Sequence, residues 1–543
     1  MDRLFLIIHN ISIWGGFILA TIGILGHLRS HDSLKSTTDE KVNRIYIFLF
    51  FIIATILRIY RLGDIPGGIN QDEAMSVLNA RGILETGTDL AGNSFPAEFV
   101  AWGNGGQSVL LSYSMIPLIS LFGDGVFIIR LIPVFYSMLG LWAFYQLAKS
   151  FLTEKSAFLV TIFAAFSPWH FMQSRWALDC NLMSHLWIIG ILLLIKAMDN
   201  RKLYYFAAII FGISMYSYGI SFYTISLFLI ISITYLLFQK LISIKQTMIC
   251  IGIFIIVSLP IDMTMFVNTF HINTLSFGKI TMPLLADQVR SNDILLFNFS
   301  TTQLIENIHS LGVLLIDQYD QLWFNSNYFF GTIFMCTIPF SAIGAIVVFR
   351  NAIKSTVKID RSKHMILITY VLTSLFSGII TKKVNVNRMN FIYYGLMLLA
   401  GIGIANIHCK LILWKKAVYC LYLVNIAGFM LLYFTLWANT SGFFTDYEQA
   451  IYEAGRTPNK NYAIVVEYNS PEITRILTLY EHRTPIKDYQ NGIFDKNYTF
   501  YVSTEELQDF NDKTTYVVRA ADYDSFTELT HNDSYGGYFV FYN

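Results

Sequence analysis

Leu57-Arg58-Ile59-Tyr60-Arg61-Leu62, followed about ten residues later by Asp72-Glu73-Ala74, is the stretch that decides how this chain reads. The first segment closes an apolar run from Ile45 to Leu57 that, with Arg58 to Arg61, is long enough to cross a bilayer. The stretch Asn70 to Gln107 then carries Arg81, Glu85, Asp89, Glu98, Trp102 and the four glycines from Gly92 to Gly106. That is too polar for lipid and too rich in functional groups for a passive connector. Carboxylates held at a membrane surface are costly and mark ions, protons or chemistry. The competing reading is an acidic pair on a solvated loop.

Composition agrees with a membrane setting. Hydrophobic residues make up 54% and charged residues 14%, with a mean hydropathy of +0.50. These values describe an integral membrane protein. A net charge of +1 gives no footprint for nucleic acid. The five cysteines are scattered among apolar runs without metal spacing and read as small core residues.

Length and hydropathy predict spans near 4–28, 45–61, 130–151, 156–172, 182–198, 203–219, 221–239, 246–262, 327–349, 364–380, 389–407 and 416–437. The first is too long for a signal peptide core and lacks a small-residue cleavage site, so a retained helix is expected. Val109 to Phe122 is apolar but short and interrupted by Pro117, and is expected to lie at the surface. The loops then assigned to the cytoplasm hold 19 Lys/Arg against 11 on the opposite face of the membrane part. This bias predicts about twelve spans with both chain ends outside.

The fold class expected is an all-α polytopic membrane protein with surface helices in its first outer loop and a small C-terminal extracytoplasmic α/β domain. Residues 1–44 form an extra helix and loop, 45–439 the catalytic membrane domain with outer loop 62–129, and 440–543 the soluble domain. That last segment holds 16 Asp/Glu against 8 Lys/Arg. Tyr462 to Val466, Tyr498 to Val502, Thr515 to Val518 and Tyr538 to Tyr542 read as strands, and Glu472 to Tyr480 as a helix. A covering or acceptor-binding role is expected for it. Phe266 to Trp323 is long, polar and poor in span signals, and reads equally as a lid or a surface loop.

Three outer loops supply unusual side chains: Asp72, Glu73 and Arg81; His170, Arg175 and Asp179 after Ser167-Pro168-Trp169; and Thr381-Lys382-Lys383 leading to Asn387-Arg388. Carboxylates and cations on one face suit a negatively charged, lipid-borne partner. Transfer of a sugar from a polyprenyl phosphate needs a carboxylate to take the acceptor proton, worth about 10²–10⁴-fold. It also needs cations for the departing phosphate.

The motifs Leu57 to Leu62 with Asp72-Glu73-Ala74, Arg130-Leu131-Ile132-Pro133, Ser167-Pro168-Trp169-His170 with Ser174-Arg175, Tyr216-Ser217-Tyr218 and Asn387-Arg388 resemble the GT-C glycosyltransferases. The similarity is to the branch with protein O-mannosyltransferases and the lipid A aminoarabinose transferase, over roughly residues 45–407 in order. It implies a GT-C-like fold and Asp72 as catalytic base or metal ligand with Glu73 beside it. Asp179 matches a second acidic position, and Arg175 and Arg388 match sites of positive charge near the lipid phosphate. Lys382 and Lys383 join them as candidate phosphate ligands, and Arg81, His170 and Trp102 as candidate substrate contacts.

Each residue has a plainer alternative. Asp72 or Glu73 could cap the next helix, Glu73 could pair with Arg81, and Asp179 could start a helix or pair with Arg175. Arg388 could snorkel, and Arg130 reads as positional. A divalent metal is left open, without identified ligands.

The expected function is transfer of a sugar from a polyprenyl-phosphate donor to a hydroxyl acceptor, with inversion, at the outer face of the cytoplasmic membrane. The acceptor would be a cell-envelope polysaccharide, a glycolipid or an exported protein. The rivals are a transporter or flippase, and an oligosaccharide ligase or polymerase using a diphosphate-linked donor. A transporter would concentrate charge near mid-membrane at broken helices.

Overall fold

The computed structural model describes residues 1–29, 41–101, 105–286, 294–295, 299–382, 384–409, 413–440, 442–468, 470–507, 511, 513–526, 529 and 531–543. Trp102 and Lys383, both candidate contacts, lie outside the described residues.

The chain opens with α1 (Asp2–Arg29), α2 (Arg44–Ile59) and α3 (Gln71–Thr86), then a hairpin of β1 (Glu98–Ala101) and β2 (Gly105–Ser108). Next come α4 (Leu110–Phe122), α5 (Val126–Ala148), α6 (Glu154–Ala165) and α7 (Pro168–Gln173). They lead to α8 (Cys180–Lys196), α9 (Leu203–Ser214), α10 (Ser221–Phe238) and α11 (Ile244–Thr269). A second hairpin, β3 (Leu275–Phe277) and β4 (Ile280–Met282), precedes α12 (Thr301–Asp317). The helical part closes with α13 (Thr337–Lys354), α14 (Lys358–Ile380), α15 (Ile392–Asn406), α16 (Trp414–Leu432) and the short α17 (Ala438–Thr440).

The C-terminal segment contains α18 (Thr445–Ala454), β5 (Asn461–Val465), α19 (Pro471–Glu481), α20 (Ile486–Gln490) and α21 (Phe494–Asn497). It ends with β6 (Tyr498–Tyr501), β7 (Thr514–Arg519), β8 (His531–Tyr535) and β9 (Tyr538–Tyr542). These strands form one sheet in the order β6-β5-β7-β9-β8. Strands β6, β5 and β7 run parallel, while β9 and β8 add antiparallel.

Each expected span overlaps a helix, but residues 327–336 form turns before α13, and 156–172 is divided between α6 and α7. Among the described residues seven helices are long and apolar enough to cross a membrane, joined by four shorter apolar ones. α4 is one of the shorter set, with Pro117 inside it. Trp14, Phe17 and Ile18 of α1 point outward, the pattern of a helix solvated by acyl chains.

Contacts divide the chain into two units. The first comprises Met1–Tyr60, Pro133–Leu259 and Arg290–Thr440; the second comprises Arg61–Ile132, Pro260–Val289 and Ser441–Asn543. In the first, α13 and α15 meet backbone to backbone. A Cβ at Gly344 would fall on the Leu399 carbonyl, and one at Gly403 on the Phe340 carbonyl. Lipid tails are as apolar as leucine, so such helices associate by close packing through small residues. In the second unit, local chemistry fixes α3 at both ends. Asn70 accepts from the Asp72 amide, Glu73 accepts from the Asn70 amide, and Gly87 ends the helix in the left-handed region at φ 74°.

Candidate functional site

In the second unit the Asp-Glu pair occupies the first turn of α3. Glu73 is fully buried and forms a bidentate pair with Arg130, Nε to Oε1 at 2.9 Å and Nη2 to Oε2 at 2.8 Å. Arg130 also donates to the carbonyls of Pro66 at 2.6 Å, Gly68 at 2.7 Å and Leu62 at 3.4 Å. The guanidinium therefore spends its planar fork on the loop that presents Asp72. Glu73 caps α3, as its alternative reading had it, but its cation is Arg130.

Asp72 is half-buried beside this clamp. Its amide is held by Asn70, and its carbonyl accepts from Ser76 Oγ at 2.8 Å and Gln107 Nε2 at 3.3 Å. Asn70 and Glu73 thus form the capping box of α3. Arg81 lies further along α3, with Nε 3.5 Å from Glu85 and 3.7 Å from Asp124, and Nη2 donates to the Thr484 carbonyl.

The same unit holds two carboxyls from the C-terminal segment, Glu448 buried and Glu481 half-buried. Glu448 Oε1 accepts from the Ile69 amide at 2.6 Å. Burial, with Glu481 second, holds its carboxyl well above the usual range, against the Ile69 bond and Arg130. Burial likewise pushes Glu481 up to about 7, opposed by Arg483 and aided by Asp124. A Cβ at Gly68, whose φ is 68°, would strike the Phe443 carbonyl and sit 2.9 Å from Glu448 Oε2.

In the first unit, Arg175 closes the C-terminus of α2. Its Nη1 donates to the carbonyls of Leu57 and Arg58, Nη2 to Tyr60 at 2.9 Å, and Nε to Tyr433 Oη at 3.0 Å. Those carbonyls have no partner within the helix, and a buried guanidinium supplies one. Tyr433 and Phe434 also face the guanidinium at 5.5 Å.

His170 sits in α7, which Ser167 caps and Pro168 opens. It belongs to a buried chain: Arg58 Nη2 to His170 Nδ1 at 2.9 Å, His170 Nε2 to Tyr394 Oη at 2.8 Å, and Tyr394 Oη to His185 Nδ1 at 3.0 Å. Arg58 can only donate, so His170 accepts at Nδ1 and carries its hydrogen on Nε2. Tyr394 Oη therefore accepts from His170.

Asp179 precedes α8, and its carboxylate accepts from the Cys180 amide at 2.7 Å. The Arg388 amide donates to Asn385 Oδ1 at 3.0 Å, and its Nη1 donates to the Lys382 carbonyl. Lys382 is half-buried and borders an open cleft with Ser300, Gln303 and Glu306 at the head of α12. Among the described residues, no three His, Cys, Asp or Glu side chains group as metal ligands.

Spacing alone did not reveal several of these side chains. Asn390, two residues past Arg388, binds Trp169 Nε1, Gln173 Oε1 at 3.0 Å and the Cys180 carbonyl at 2.9 Å, joining α7 to α8. Asp320 receives the Val386 amide at 3.0 Å and so shapes the 384–388 loop. Both are single polar residues without a repeat or motif, and only the packed chain singles them out.

Comparisons with known proteins agree with this architecture. Residues 107–263 match the family model described as dolichyl-phosphate-mannose-protein mannosyltransferase. A search of curated proteins finds no match. ArnT from Cupriavidus metallidurans bound to undecaprenyl phosphate superposes with a TM-score of 0.57 at 9% identity, covering 92% of this chain and 98% of that one. Its apo state gives 0.56 at 10% identity, with the same coverage. The oligosaccharyltransferase AglB from Archaeoglobus fulgidus gives 0.48 at 13% identity, covering 88% of this chain and 70% of that one. The chain is a multi-pass membrane protein with the GT-C glycosyltransferase fold.

Proposed function

We propose that this chain is a membrane glycosyltransferase that moves one sugar from a polyprenyl-phosphate donor to a hydroxyl acceptor. The observation that carries the reading is the setting of Asp72, in the first turn of α3, which the Asn70–Glu73 capping box and the Arg130–Glu73 pair hold in place. Support also comes from the mannosyltransferase family model and from the fold shared with ArnT, which was solved with undecaprenyl phosphate bound.

In this mechanism Asp72 takes the proton of the acceptor hydroxyl as its oxygen attacks the anomeric carbon. The bond from that carbon to the phosphate oxygen breaks, and the electron pair leaves on the phosphate. Displacement from the opposite side inverts the configuration. Lys382 and Arg388 are assigned to the charge gathering on the departing phosphate, with Lys383 beside them in sequence. Arg175 is assigned to the phosphate with them, and Glu73 and Asp179 to shaping the site. The active site and the C-terminal domain are assigned to the outer face of the cytoplasmic membrane.

The test is incubation of membranes with radiolabelled polyprenyl-phosphate sugars, comparing wild type with Asp72→Asn. Loss of transfer by about 10²-fold or more at equal expression supports the reading. Unchanged transfer removes Asp72 as the base. Label that moves only from diphosphate-linked carriers favours a ligase or polymerase.

A further inference from the structure

The C-terminal sheet carries a topological switch. The chain leaves β5, returns through α19 to β6 on one side, and then crosses to β7 on the other side of β5. In open parallel α/β sheets, ligands bind at the carboxyl ends of strands where the winding reverses. Here that point is built from Glu467 and Tyr468, just past β5, and Arg519, the last residue of β7.

The three form part of a defined cluster. Glu467 Oε1 accepts from Tyr538 Oη at 2.6 Å and from Arg519 Nε at 3.3 Å, and Arg519 is paired in register with Tyr538. Arg519 also donates to the Val466 carbonyl, so the guanidinium is oriented by the ends of two strands. Tyr468 is 75% exposed, yet its ring packs edge-on against Phe444 at 5.4 Å. Both aromatics hold left-handed backbone, φ 50° at Tyr468 and 43° at Phe444. Such conformations are strained for non-glycine residues and persist where the surroundings impose them.

The chemistry narrows the ligand. Val466-Glu467-Tyr468 offers no glycine-rich turn for a phosphate, and a carboxylate stands where a nucleotide would place its charge. With 16 Asp/Glu against 8 Lys/Arg, residues 440–543 repel anions as a whole. A flat exposed ring beside a carboxylate–guanidinium pair suits a saccharide: the ring takes the C–H face of a pyranose, and the charged pair takes its hydroxyls.

We propose that the carboxyl ends of β5 and β7 form a saccharide-binding site, with Tyr468 as the stacking platform and Glu467 and Arg519 as hydroxyl ligands. It takes an uncharged oligosaccharide. Its role as an acceptor subsite rests on the glycosyltransferase reading, whereas binding itself does not.

The experiment uses full-length protein in nanodiscs on a printed array of neutral and anionic oligosaccharides. Wild type and Asp72→Asn are expected to bind the same neutral glycans. Tyr468→Ala should lower the signal at least tenfold, Tyr468→Trp should keep it, and all four proteins should share one melting temperature. Absence of binding by wild type, binding confined to anionic glycans, or binding unchanged in Tyr468→Ala overturns the proposal. Retained glycan binding with no sugar transfer by wild type leaves the site standing and sinks the enzyme reading instead.

Discussion

Arg130 and Glu73 face each other as a bidentate ion pair with both side chains at 0% exposure, 57 residues apart in sequence. Two buried charges are tolerated because the remaining Arg130 donors meet three backbone carbonyls. Removing one partner strands the other. Arg130→Ala is expected to cost about 3–5 kcal/mol, read as a lower melting temperature and reduced yield in detergent. The double variant Arg130→Met/Glu73→Leu should recover part of that loss; a double variant no better than the single would contradict a pairwise origin.

Arg175 donates to the carbonyls of Leu57, Arg58 and Tyr60, and a lysine cannot reproduce that fork. Arg175→Lys should destabilise the protein by roughly 2–3 kcal/mol. Thermal unfolding measures it, and an unchanged midpoint would show that the end of α2 is satisfied in another way.

The carboxyls of Glu448 and Glu481 give the second unit a pH dependence. Both sit above the ordinary value of 4.5, Glu481 at about 7. The folded chain therefore holds protons that the unfolded chain has already released. Their contribution is complete below about pH 4.5 and declines as pH rises through the folded values. The melting temperature should fall between about pH 5 and pH 8, and Glu481→Gln should flatten that slope. A slope of opposite sign would refute the assignment.

Gly68 lies under the Phe443 carbonyl with φ 68°. Gly68→Ala adds a methyl where backbone already stands and strains the dihedral, at roughly 1–3 kcal/mol. Limited proteolysis between residues 440 and 470 should accelerate in the variant; an unaltered digestion rate would argue against the contact.

The assigned orientation is open to labelling. A membrane-impermeant thiol reagent applied from outside should reach Ala91→Cys and spare Ser355→Cys in a background without the native cysteines. The reverse pattern would invert the topology.

Much of the architecture was legible because it rests on local rules. Apolar length marked the span helices, Pro117 and the short run marked α4, and alternation marked β5, β6, β7 and β9. β8 escaped because His531-Asn532-Asp533-Ser534-Tyr535 has little strand propensity and owes its conformation to pairing with β9. Within the stretch read as a lid or loop, β3, β4 and α12 were hidden by short strands and a helix too mixed for a span. At the site, Asp72-Glu73 stood out because charge next to an apolar run is rare. The partner of Glu73 did not, since nothing local links residue 73 to Arg130.

The glycine contacts between α13 and α15 limit how the membrane part can move. With Gly344 on the Leu399 carbonyl and Gly403 on the Phe340 carbonyl, neither helix can slide by a turn without first separating from the other. This pair is a fixed reference for the bundle. Any opening for the proposed lipid-linked donor must be sought in segments whose backbones do not interlock.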